Sequence, residues 1–259
     1  MSKASKVHTI NPRTYKAADD LLRDRVLLVT GAGDGIGKCA AITFAQHGAT
    51  VILAGRTTVK LDEVYDLIEK DGYPQAAIYP IDLEGANEDD YSTMAERIES
   101  EFGRLDGLLH NAGELGERTS IANYTVASWN TVMKVNVSAQ FMLTKALLPL
   151  MQQAKDASIV FTSSGVGRQG RAFWGAYAVS KFATEGLSQV LAAELEETSN
   201  IRVNTLNPGA TRTKMRAGAY PAENPTGLKT PLQIMPAYLY LMGPDSKGVT
   251  GQALEAQQL

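Results

Sequence analysis

Tyr177 and Lys181 stand four residues apart in the run Gly175-Ala-Tyr-Ala-Val-Ser-Lys-Phe-Ala-Thr-Glu-Gly186. On a helix that spacing puts a phenol and an ammonium on one face, one turn apart. A free phenol ionises near pH ~10, too high for an efficient base at neutral pH, and a neighbouring cation favours the phenolate. The two residues therefore have the makings of an acid–base pair in which the lysine tunes the tyrosine. The competing reading is a surface helix on which they are neighbours by coincidence. Other stretches of the chain decide between the two.

The first is Thr30-Gly-Ala-Gly-Asp-Gly-Ile-Gly37. It follows a short apolar, β-branched run and precedes a segment with helical spacing that stops at Gly48. Glycines between a strand and a helix let the backbone approach a pyrophosphate, and the helix N-terminus adds N–H groups and a positive dipole end. Gly31, Gly35 and Gly37 fit the spacing T-G-x-x-x-G-x-G, with Gly33, Asp34 and Ile36 filling the loop. Ile36 stands where the commoner G-x-G-x-x-G pattern needs its third glycine. At the tip of the second strand an acidic residue would bind the ribose of NAD, whereas an arginine accommodates the 2′-phosphate of NADP. This chain has Arg56 there. NADP(H) is favoured and NAD(H) stays open, because Asp34 in the loop would repel a nearby phosphate.

Positioning these groups takes an alternating chain. Strands are predicted at residues 25–30, 49–55, 75–83, 105–113, 157–164 and 201–209, with a short last one at 251–257. Helices are predicted between the first six of them, the longest over residues 126–151. Repeated strand–helix units without a compositional break imply one parallel sheet covered on both faces. The expected class is α/β: a single-domain Rossmann fold, a doubly wound parallel sheet of about seven strands with ligands beyond the carboxyl ends of the strands. Residues 1–24 read as a polar N-terminal extension on or off the domain surface, and residues 25–259 as the domain.

Composition narrows the partners. Hydrophobic residues make up 44% and charged residues 20%, ordinary for a globular protein, and the formal net charge of −3 disfavours nucleic acid or an anionic membrane as a partner. No apolar run approaches the ~20 residues that span a bilayer. The N-terminal stretch lacks the apolar core of a secretory signal. A single cysteine, Cys39, reads as a small buried residue in a reducing compartment, so the cytoplasm is the expected location. His8, His47 and His110 have no ligand spacing, so no metal is expected.

In chain order these motifs resemble the short-chain dehydrogenase/reductase family over about residues 22–254. Asn111-Ala112-Gly113 matches the segment closing the fourth strand, and Asp82-Leu83 the pair beside the adenine ring. Val135-Asn136-Val137 matches the helix asparagine of the family's tetrad. Ser164 precedes Tyr177 by the family's interval of 13 residues, with Ser163 as the alternative. Asn207-Pro208-Gly209, followed by Thr211 and Thr213, resembles the segment that holds the nicotinamide end. Within the family, the runs FTSSGVGRQGRAFWGAYAVSKFATEG and TPLQIMPAYLYLMG resemble bacterial oxidoreductases of the YciK type. One departure is the ending LEAQQL, where many members carry a Val-Asp-Gly-Gly-like segment; it leaves the part played by the last strand in assembly open.

The resemblance implies hydride transfer between a nicotinamide and a carbonyl or alcohol. Tyr177 would exchange the proton, Lys181 would lower its pKa and hold the ribose, Ser164 would bind the substrate oxygen, and Asn136 would position a relay water. Residues 165–174 and 211–221 should face the substrate, the latter as a mobile lid. In them Arg168, Arg171, Arg212, Lys214 and Arg216 could attract a carboxylate or phosphate, and Trp174 and Phe173 could stack on the substrate. A homodimer or homotetramer through the helices carrying Asn136 and Tyr177 is expected. Two alternatives stay open: an epimerase or dehydratase without net cofactor turnover, and a non-enzymatic NADP(H)-binding regulator.

Overall fold

The computed structural model describes residues 11–258 of the chain. The first apolar run becomes strand β1, Val26–Thr30, buried along its whole length. Its side chains alternate between two cores: Leu27 and Val29 enter one, Val26 and Leu28 the other. A strand buried on both faces has no use for polar alternation, which is why it reads as a continuous hydrophobic run. The other strands are β2 (Thr50–Gly55), β3 (Ala77–Pro80), β4 (Gly107–His110), β5 (Ala157–Thr162), β6 (Ile201–Asn207) and β7 (Ala253–Glu255). They form one seven-stranded sheet in the order β3-β2-β1-β4-β5-β6-β7, parallel at every pairing. The order reverses between β1 and β4, so a crevice opens beyond their carboxyl ends, where a doubly wound sheet binds ligands.

Helices cover both faces. On one side lie α1 (Gly35–Gln46), α2 (Thr58–Lys70) and α8 (Met235–Met242), contributing Phe44, Val64 and Tyr238 to one core. On the other lie α3 (Glu88–Phe102), α5 (Ala139–Met151) and α6 (Gly175–Leu195), contributing Met94, Leu147 and Leu191. The helix expected over residues 126–151 is interrupted: α4 (Val126–Met133) passes into a π-helical turn, Lys134–Ser138, before α5 resumes. A π turn inserts one residue and re-aims the side chains in it; here it holds Asn136. The stretch expected as an irregular lid contains a short helix, α7 (Lys214–Ala219), capped by the Thr213 side chain on the Arg216 N–H. Helix α8 has no counterpart among the predicted elements. It has no charged residue and is buried but for Pro236, so it lacks the periodicity that marks a surface helix.

Residues 11–24 run along the domain rather than off it. Leu22 is fully buried and its N–H donates to the His47 carbonyl at 2.9 Å. The Tyr15 ring packs 5.4 Å from that of Tyr240, and its hydroxyl donates to Asp245 at 2.7 Å. Residues 1–10 of the expected extension, His8 included, lie outside the described residues. Among the described residues no helix is long and apolar enough to cross a membrane.

Candidate active site

The glycine loop is built by close approach. Thr30, at the end of β1, accepts the N–H groups of Asn111 (3.0 Å) and Ala112 (3.1 Å) on its hydroxyl and donates to the Leu109 carbonyl, tying the ends of β1 and β4 together. A Cβ on Gly37 would overlap the Gly31 carbonyl oxygen, so α1 starts against the loop only because residue 37 has none. Gly35 turns into the helix at φ +54°, a left-handed conformation costly for other residues. Asp34 caps α1 by accepting the Gly35 N–H at 2.8 Å.

Beyond this loop a hollow of about 260 Å³ runs between the tips of β1, β2 and β4. Gly31, Gly33, Asp34 and Arg56 line it with Asp82, Leu83, Ala112 and Gly113, as the sequence reading grouped them. Arg56 reaches Glu114 at 3.1 Å. The expected repulsion by Asp34 is offset, because the carboxylate is paired with Lys60 at 2.7 Å and Lys214 at 3.1 Å. The Lys60 hydrogen bond, against the opposing effect of burial and with help from Lys214, holds its pKa at about 2. Three cations, Arg56, Lys60 and Lys214, thus stand around two carboxylates at this end. Lys60 and Glu114 carry no motif and were missed; their only signal is proximity to the tip of β2 and to Gly113 in the sequence.

A second hollow, of about 490 Å³, adjoins the first and shares Gly31, Asp34, Arg56 and Gly113 with it. Ser164, Tyr177 and Lys181 lie on one wall, and Gly35, Ile36 and Asn111 at the loop end. Pro208, Gly209, Thr211 and Thr213 close the far side. Tyr177 and Lys181 come from one face of α6, both buried, with the Lys181 ammonium 5.6 Å from the phenol ring centre. That ammonium donates to the Thr162 carbonyl at 2.7 Å, at the end of β5. Burial lowers its pKa to about 8, against the opposing charge of Glu185. The phenol was expected to be lowered by the lysine. Burial instead pushes it up to about 12, with the Ser164 hydroxyl acting in the opposite sense. Desolvation of the phenolate is the larger of these two effects.

Asn136 is fully buried behind this wall. Its amide nitrogen donates to the Glu114 carbonyl (2.9 Å) and the Ser180 hydroxyl (3.0 Å), and its oxygen accepts the Glu114 N–H at 2.8 Å. Both ends of the side chain therefore hold the strand-end segment after β4. A Cβ on Gly113 would sit 3.3 Å from the Asn136 oxygen and 4.0 Å from the Lys181 nitrogen, so these two groups flank that glycine. Ser163 also lines the second hollow, and its hydroxyl donates to the buried Glu185 carboxylate at 2.5 Å. His110, buried and stacked on Phe161 at 4.6 Å, is kept neutral by burial, its pKa near 3.

The substrate-facing arginines separate into groups. Arg168 is turned away from the cavity: it pairs with Glu185 at 3.2 Å and with Glu255, and donates to the Leu254 carbonyl. Arg212 is committed to the carbonyls of Pro225, Thr226 and Leu228. Neither lines the cavity, and nor does the exposed Arg171. A chain cannot show in sequence which arginine has a carboxylate waiting 87 residues away. Arg216 and Trp174 do reach the cavity. Arg216 pairs with Glu223 and stacks 3.8 Å from the Tyr220 ring, and Tyr220 and Trp174 pack at 5.8 Å. Arg118, not singled out in the sequence, covers Trp174 at 3.9 Å.

Residues 25–224 match the family model described as short chain dehydrogenase. The chain belongs to that family. Its members carry out oxidoreductase chemistry, and the seven-stranded parallel sheet is the fold that the family resemblance implies. Among its relatives, the uncharacterized oxidoreductase YciK of Escherichia coli (strain K12) is 53% identical over 243 residues, covering 94% of this chain and 96% of that one. A solved chain from Pseudomonas syringae is 58% identical with a TM-score of 0.93, covering 94% of this chain and 98% of the other. A solved chain from Escherichia coli CFT073, in complex with NADPH, is 53% identical with a TM-score of 0.91, covering 93% and 100%.

Proposed function

We propose that the protein is an NADP(H)-dependent oxidoreductase that interconverts a carbonyl and an alcohol, with Asn136, Ser164, Tyr177 and Lys181 as its working set. The observation that carries this is the sharing of one cavity by the Ser164–Tyr177–Lys181 wall and the 208–213 segment, continuous with the glycine-loop hollow. A dinucleotide has that two-part shape. Its adenosine half fits the hollow at Arg56, Asp82 and Leu83, and its pyrophosphate fits the start of α1 over Gly31, Gly35 and Ile36. Arg56, with Lys60 beside it, supports a 2′-phosphate and hence NADP(H), and the NADPH complex of a 53% identical relative points the same way.

A bound nicotinamide supplies the hydride in reduction and accepts it in oxidation. Tyr177, protonated at neutral pH, gives its proton to the carbonyl oxygen as negative charge develops there. The Ser164 hydroxyl binds the same oxygen and orients the carbonyl toward Tyr177. Lys181 holds the ribose hydroxyls and, as a cation beside the phenol, eases loss of the Tyr177 proton. Asn136 orders the backbone at Glu114 and faces Lys181 across Gly113, the side from which water would return a proton. Trp174 and Arg216 border the substrate, a small carbonyl or alcohol compound.

A homodimer or homotetramer completes the reading. Val179, Phe182 and Val190 are exposed on one face of α6, and Phe141 is exposed on α5. The lone Cys39, half-buried with its thiol pKa raised by burial, fits a reducing compartment, and we assign the cytoplasm.

The test is NADPH and NADH oxidation over a panel of aldehydes, ketones, quinones and 3-oxoacyl compounds, with Tyr177→Phe and Arg56→Ala beside the native protein. Tyr177→Phe should lower kcat by about 10²–10⁴, and Arg56→Ala should erode the preference for NADPH about tenfold. Tight cofactor binding with no turnover on any compound would instead mark a regulator. Turnover surviving in Tyr177→Phe would sink the proposed acid.

A further inference from the structure

The residues that follow β7 are tied to the far wall of the cavity. Gln257 turns its side-chain amide into the 208–211 loop and donates to the Pro208 carbonyl at 2.7 Å, the Ala210 carbonyl at 3.1 Å and the Thr211 hydroxyl at 3.0 Å. The same side chain packs on Gly209, which turns at φ +69°; a Cβ there would stand 3.1 Å from the Gln257 amide nitrogen. Glu255, two residues earlier, accepts the Asn207 amide at 2.7 Å, while the Asn207 oxygen accepts the Gly209 N–H at 3.0 Å. Glu255 is in turn held by Arg168, which also grips Glu185 on α6. A continuous polar chain therefore runs from the helix of Tyr177 and Lys181, through Arg168 and Glu255, to the loop opposite.

That loop carries a proline and a glycine, and the Gln257 amide supplies donors to two of its carbonyls. Without them the Ala210 carbonyl would turn to solvent, the Pro208 carbonyl would keep only the Thr211 hydroxyl at 3.1 Å, and the loop would sample other shapes, so a ligand would pay the entropy of ordering it. We propose that Gln257 is a positioning residue, clamping the 208–211 loop in the shape that receives the nicotinamide half of the cofactor, with the Arg168–Glu255 pair fixing the strand from which it reaches. This rests on reading that loop as the nicotinamide segment. It also gives the atypical ending Leu254-Glu-Ala-Gln257 a role.

The experiment uses the full chain with Gln257→Glu, close to isosteric but without the NH₂ donors, and Gln257→Lys, which keeps a donor. Amide exchange over residues 207–213, without cofactor, should quicken about tenfold in Gln257→Glu and return toward the native rate in Gln257→Lys. By fluorescence titration NADPH should bind about tenfold more weakly to Gln257→Glu, while 2′,5′-ADP, which lacks the nicotinamide half, should bind as to the native protein. Unchanged exchange in Gln257→Glu would overturn the clamp itself. Quicker exchange with unchanged NADPH binding would overturn the assignment of the loop to nicotinamide. Equal weakening for NADPH and 2′,5′-ADP would reduce Gln257 to a general structural residue.

Discussion

At Lys181 the burial that brings the ammonium against the Thr162 carbonyl also works against its charge. The pKa of about 8 in the folded chain lies below the ordinary 10.5. Between those values the unfolded chain holds more protons, so native stability rises with pH across the window and the penalty is full below pH 8. Lys181→Met removes the charge. The stability advantage of that variant over the native protein should therefore shrink by about 3 kcal/mol between pH 8 and 10.5, read from urea unfolding at each pH. A difference that stays constant across the window would mean that the lysine is solvated. At this scale the sequence was informative wherever one element carries the whole pair: Tyr177 and Lys181 share a helix, and Gly31, Gly35 and Gly37 share a turn. The buried carboxylate of Glu185 was not legible. It lies one turn beyond Lys181, but its partners Ser163, Arg168 and Thr205 come from other elements.

Among the elements, the π turn at Lys134–Ser138 matters most to the site. A regular helix through residues 126–151 would satisfy the same hydrophobic pattern, so nothing in the periodicity separates the two. The wide turn carries Asn136, whose side chain makes two hydrogen bonds with the Glu114 backbone and one with Ser180. Asn136→Ala would remove the side-chain partners of the Glu114 N–H and C=O at a half-buried place. It should cost about 2 kcal/mol of stability and lower Tm by roughly 4–8 °C, measured by calorimetry, and Asn136→Asp, which keeps one acceptor, should cost less. A Tm within a degree or so of native in Asn136→Ala would show that water replaces the amide. Helix α8 escaped the sequence for the opposite reason: with Met235, Tyr238, Leu241 and Met242 all buried, no polar face remains to mark a period.

On the whole molecule, the parallel sheet of about seven strands and the placement of the cleft beyond its carboxyl ends followed from the alternating pattern, whereas the packing of residues 11–24 did not, since Tyr15 and the Leu21–Leu22 pair stand among polar residues without a period. The apolar face of α6 remains open in a single chain. Phe182, 46% exposed, lies in the middle of it, with Val179 before and Val190 after. If the proposed oligomer forms through this face, Phe182→Glu would put a charge on each side of a symmetric contact and should leave a monomer in sedimentation at micromolar concentration. An unchanged sedimentation coefficient would move the interface elsewhere. The order of the sheet also has a consequence for biosynthesis. The glycine loop, Tyr177 and Lys181 all precede β7 in the chain, and the ribosome delivers residue 257 after them. Until residues 253–257 emerge, a nascent chain can form the glycine-loop hollow and helix α6, while the carbonyls of Pro208 and Ala210 still wait for the amide of Gln257.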